Sequence, residues 1–141
     1  MRSEDRLISR LRDVLQYGER AKNTVRGRRL EEMEPVEIDV LCYLVLIVSE
    51  ATIQALTLDE TLVERHPEIP WREIRATGNR LRHGYASIDH QVVHNVVDKG
   101  HIDQSLRLAR TELERRAPED VPCIEIRAVD ARSMAITAFA D

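Results

Sequence analysis

The sequence has two cysteines, Cys42 and Cys123. One lies inside an apolar run and the other in a tail, so neither a disulfide framework nor a cysteine-built zinc site follows, and both are expected to be plain thiols. Aromatic residues make up 4% of the chain, with five glycines and five prolines in 141 residues. That scarcity argues against sandwiches and barrels, which need many turns and large inward side chains, and favours helices. The longest apolar run, residues 40–48, falls well short of the ~20 residues of a spanning helix and is closed by Asp39 and Glu50. A membrane span is excluded on that ground. The chain opens on a charged amphipathic segment where a leader would carry a basic stretch and an apolar core, so a cytoplasmic location is expected.

The formal net charge is -4, which gives no overall pull toward nucleic acid, but charge is unevenly spread. Residues 20–29 hold Arg20, Lys22, Arg26, Arg28 and Arg29 with no acid, and residues 31–39 hold Glu31, Glu32, Glu34, Glu37 and Asp39 with no base.

Apolar residues recur at helical spacing from Leu7 through Leu11, Val14, Leu15, Ala21 and Val25, with Ser3 as the expected N-cap and Gly27 as the stop. Pro35 suits the first turn of a second helix that runs to about Leu58. This helix is apolar nearly all round over residues 40–48, so it needs covering surface on several sides; in so short a chain a second copy of the protein supplies it, and a homodimer is expected. A short third helix is read over residues 59–64, followed by the stiff Pro67–Pro70 connection. Trp71, Ile74, Gly78 and Leu81 fall on one stripe of a fourth helix that ends near Gly84. Asp89 caps a fifth, whose inward face carries Val92, Val93, Val96 and Val97, and Gly100 is read as a bend before Ile102, Leu106, Ala109 and Leu113 continue it. The fold class is therefore all-α, an up-and-down bundle of about five helices over residues 1–116. Residues 117–141 form a C-terminal extension in which alternation around Ile124 and Ile126 and the run 134–139 suggest a β-hairpin.

Chemistry gathers on the fourth helix. Arg75, Asn79 and His83 are spaced four apart, which places a cation, an amide and an imidazole in one line, with Arg82 beside it and Tyr85 just beyond. Arg72, Arg75, Arg80 and Arg82 against the single acid Glu73 make this helix positive where a phosphate backbone could dock. An imidazole, whose unperturbed pKa is ~6.5, can take a ribose hydroxyl proton or protonate a leaving oxygen, and arginine can stabilise the charge that builds on phosphorus. Without context, a histidine and a tyrosine near a helix end are more often packing and capping groups.

The segment Pro67-Glu68-Ile69-Pro70-Trp71-Arg72-Glu73-Ile74, with Asn79-Arg80-Leu81, His83-Gly84-Tyr85 and Ile88-Asp89, resembles the HepT-like HEPN family, the toxin half of HEPN/nucleotidyltransferase pairs. Ser49-Glu50-Ala51 is similar to that family's Gly-Glu-Ala, and the resemblance covers about residues 3–115. It implies a helical homodimer that cleaves RNA, with transfer RNA as the substrate class, needing no metal and no other cofactor. An Arg-x4-His-x-Tyr motif from each protomer would face a shared cleft, matched here by His83 and Tyr85. It also implies a nucleotidyltransferase antitoxin that transfers AMP to the motif tyrosine, here Tyr85. Asn79 matches the residue that commonly follows the motif arginine. Two positions depart from the pattern: Gly78 stands where the motif arginine belongs, and Tyr43-Leu44 replace an Arg-Asn pair in the second helix. Arg75 and Arg82, three before and four after Gly78, lie on the same helical face and are the candidates to replace the missing guanidinium. Two readings follow: a ribonuclease with a substituted arginine, or a degenerate dimer that binds and regulates a nucleotidyltransferase.

Three weaker signals are read structurally. His90, His94 and Asp98 have ligand-like spacing, but with the valines opposite they form the wet face of an amphipathic helix, and no metal is expected. The stretch Arg26-Gly27-Arg28-Arg29 is read as solvated or paired with the adjacent acids. Trp71 is read as a core anchor.

Overall fold

The computed structural model describes residues 2–120, which form six α-helices and three short 3₁₀ turns, with no strand among the described residues. The expected hairpin, with Cys123, lies outside them. The helices are α1 (Ser3–Val25), α2 (Pro35–Leu58), α3 (Leu62–Arg65), α4 (Trp71–His83), α5 (His90–Asp98) and α6 (Ile102–Arg116).

Helix α1 is the centre of the bundle. It runs antiparallel to α2, since Arg10 meets Gln54 at one end and Arg28, just past α1, meets Glu37 at the other. It is also antiparallel to α6: Glu4 pairs with Arg116, and Lys22 with Asp103. The approach of α1 to α6 is so close that a Cβ on Gly18 would run into the Leu106 side chain. Leu11, Val14, Val25, Leu41, Val45, Leu108 and Leu113 are all fully buried between these three helices. Helix α4 packs on α2, and α5 touches both α1 and α2.

Pro35 opens α2 as expected, and Asp89 caps α5 by accepting the Gln91 backbone N–H at 2.9 Å. Four local expectations are corrected. Arg2, not Ser3, is the N-cap of α1, and Ser3 is already helical. The third helix is a single turn, Leu62–Arg65, because Asp59 uses its carboxylate to hold Thr61 and so builds a turn ahead of it. Gly100 separates α5 from α6 instead of bending one helix, because it takes φ +80°, a left-handed conformation in which glycine suffers no Cβ clash. His94 is not on a wet face. It is buried, with Nε2 2.7 Å from the Arg28 carbonyl oxygen, and it ties α5 to the loop after α1.

Among the described residues, no helix is long and apolar enough to cross a membrane.

Candidate functional site

The entry to α4 is anchored before its functional face begins. Ile69 is buried, Trp71 is half-buried against the core, and the Trp71 indole N–H donates to the His66 carbonyl at 3.3 Å. His66 is itself buried, with Nε2 2.7 Å from Glu112 Oε2 on α6. Burial alone would push the Glu112 carboxyl up, but hydrogen bonds from Arg65, His66 and Arg116 outweigh it and hold it down at about 2. This ionic cluster locks α3, α6 and the approach to α4 together.

Along α4 the apolar stripe turns inward as its spacing predicts: Ile74 is half-buried, Gly78 and Leu81 are buried. Gly78 lies against α2, where a Cβ would sit 3.4 Å from the Ser49 Cβ, in ordinary contact. The opposite face is exposed and carries Arg72, Arg75, Asn79, Arg80, Arg82 and His83.

Where α4 meets α2 there is a groove of about 140 Å³. From α4 it is lined by Arg75, Gly78, Asn79 and Arg82, and from α2 by Ser49, Glu50, Ile53 and Gln54. The structure thus brings three of the sequence-predicted residues together around Gly78. Arg82 is engaged there, its Nε donating to Glu50 Oε1 at 2.6 Å. Arg75 makes no ion pair among the described residues.

His83 and Tyr85 do not line this groove. His83 is the exposed last residue of α4, one turn beyond Asn79. Tyr85 follows in a 3₁₀ turn (Tyr85–Ser87) and is 74% exposed. Arg80, about 140° around the helix from Arg75, is exposed but does not line the groove. Arg72 is exposed in the first turn of α4.

Three of the five cations at the carboxy-terminal end of α1 and just past it are paired with acids. Lys22 is paired with Asp103, Arg29 with Glu32, and Arg28 holds both oxygens of Glu37 at 3.2 and 2.7 Å. The Arg28 hydrogen bonds hold the Glu37 carboxyl below the usual carboxylate range. Sequence reasoning missed Gln54 as a groove residue and gave Glu50 no role. The available signal was their spacing of four on α2, immediately after the apolar run, which puts two polar side chains on one outward line.

A family model described as HepT-like, ribonuclease HepT-like, matches residues 14–112. No curated protein and no solved structure matches the chain.

Proposed function

The chain belongs to the HepT-like ribonuclease family, and from that premise we propose that it is a metal-independent endoribonuclease, acting on transfer RNA in the cytoplasm as the toxin of a toxin–antitoxin pair. The observation that carries the reading is the exposed line of Arg75, Asn79 and His83 down α4, beside an open groove. In the reaction the ribose 2′-oxygen attacks phosphorus, the bond to the 5′-oxygen breaks, and a 2′,3′-cyclic phosphate is left. His83 moves one of the two protons, taking it from the 2′-hydroxyl or giving it to the 5′-oxygen. Arg75 stabilises the charge on the pentacoordinate phosphorus, since Arg82 is engaged by Glu50. Asn79 and Tyr85 position phosphate and ribose, and Arg72, Arg80 and Arg82 attract the backbone.

A homodimer supplies a second His83 for the other proton. Supporting it, Val36, Val40 and Tyr43 are 71%, 43% and 55% exposed on one face of α2, an apolar stripe of the kind that associating helices cover. Regulation follows from Tyr85: a nucleotidyltransferase partner can bring its phenol oxygen onto the α-phosphorus of ATP, forming the AMP ester as pyrophosphate leaves and the phenol proton is lost. The exposure of Tyr85 supports its access to a second active site.

The second reading, a degenerate dimer that binds a nucleotidyltransferase without cutting RNA, is favoured by Gly78, which places no guanidinium where the family motif has one. Incubation of the pure protein with total transfer RNA separates the two. Cleavage leaving cyclic phosphate ends, abolished in His83→Ala, supports the ribonuclease; equal background in both proteins overturns it. Addition of AMP at Tyr85 in the absence of cleavage establishes the second reading.

A further inference from the structure

A second groove, of about 410 Å³, opens between the amino-terminal half of α1 and the carboxy-terminal end of α2. It is lined by Arg6, Ser9, Arg10, Gln54, Thr57 and Leu58, two cations and three neutral polar residues with no carboxylate among them. Gln54 also walls the groove beside α4. The two are therefore neighbours across a single side chain.

Two side-chain contacts to neighbouring helices lie one turn apart on α2. Arg82 of α4 donates to Glu50 at 2.6 Å, and one turn along α2 Gln54 accepts from Arg10 Nη1 of α1 at 3.2 Å. Arg10 is held in place by Gln54, by Ser9 Oγ at 3.3 Å and by Asp13 at 3.1 Å, and its buried Nε has no hydrogen-bond partner. Arg6 makes one long hydrogen bond, to Ser3 Oγ at 3.4 Å. The guanidinium groups of Arg6 and Arg10, beside the Gln54 amide, offer donors to phosphate and sugar oxygens. Leu58 and the guanidinium planes offer surface on which an unstacked base can rest.

We propose that a single RNA strand held at α4 continues across Gln54 into this groove, where Arg6 and Arg10 bind the phosphates that flank the cleaved one. The inference rests on the reading of the α4 groove as an RNA site. It assigns α1, which carries no part of the family motif, a role in substrate affinity.

The test is binding of a fluorescently labelled 16-nucleotide single-stranded RNA, titrated at several salt concentrations. Wild type is compared with Arg6→Gln, with Arg6→Gln/Arg10→Gln, and with Arg107→Gln as a control for loss of one exposed cation on α6. The double variant is expected to bind about tenfold more weakly, with a salt slope reduced by roughly 1.4, the value for two phosphates on a single strand. Arg6→Gln, whose side chain has the single bond to Ser3 to lose, is expected to give about half that change in slope and guards against misfolding of the double variant. If both variants bind like wild type while Arg75→Gln weakens binding, the second groove is not part of the RNA path and the α4 reading stands. If Arg107→Gln weakens binding equally, the effect is general charge and the inference falls. If wild type binds no RNA, the inference and the α4 reading fall together.

Discussion

Arg82 Nε donates to Glu50 Oε1 at 2.6 Å across the junction of α4 and α2, so an acid of one helix restrains a cation of the other at the rim of the groove. With side chains half and roughly a third exposed, the pair itself adds ~0–1 kcal/mol of stability. Its weight is electrostatic: Glu50 is a carboxylate among the groove's lining residues, in a place read as a phosphate site.

Glu50→Gln keeps an acceptor oxygen for Arg82 and removes the negative charge. RNA affinity is expected to rise roughly threefold at low salt and to converge on wild type at high salt, where exposed charges are screened. Fluorescence titration checks this. A fall in affinity would show that the charge is needed to hold Arg82 in position.

Gly78 lies inside α4 with space for a methyl group beside Ser49. Gly78→Ala is expected to stabilise the fold by about 1 kcal/mol, through helix propensity, read as a higher midpoint in urea unfolding. Gly78→Arg extends a guanidinium into the groove that Gly78 lines, and cleavage is expected to rise by roughly tenfold to a hundredfold. An unchanged initial rate would mean that position 78 does not limit the reaction.

The ionic cluster around Glu112 predicts loss of stability in acid. The folded carboxyl is held at about 2 against an ordinary 4.5. Its contribution is thus fully present above 4.5 and is lost as pH falls from there toward 2. Asp59, lowered chiefly by its hydrogen bond from Thr61 and then by Arg65, works in the same direction. Thermal melts should show a falling midpoint across this window. Glu112→Gln should cost roughly 3 kcal/mol near neutral pH and flatten the acid slope, because a buried carboxylate that answers three arginines and a histidine is gone. A variant with the wild-type acid slope would place the pH dependence elsewhere.

Periodicity made α4 legible, with Ile74, Gly78 and Leu81 turned inward as the spacing required, but it misplaced part of α5, where Val92, expected inward, is exposed. Pro35 and Asp89 marked starts because their chemistry acts within one turn. Three features were not legible because they depend on partners distant in sequence. His94 is buried since the Arg28 carbonyl, 66 residues away in sequence, accepts the N–H of its ring. Glu112, one position before an inward Leu113, is buried only because Arg65, His66 and Arg116 converge on it. The groove at Gln54 needs α1, α2 and α4 assembled before it exists. The alignment of Arg75, Asn79 and His83 was readable from spacing alone; which arginine Glu50 would engage was not.

The ion pair between Glu4 and Arg116, 3.0 Å long, sets the first turn of α1 alongside the last residue of α6. A purification handle at the amino end therefore starts at the corner of the molecule where α6 ends, about a turn before Arg6. An acidic linker there competes with phosphate for that guanidinium. An insertion at Gly27, with φ +70° and open space where a side chain would be, sits at the far end of α1 and keeps a reporter clear of the groove.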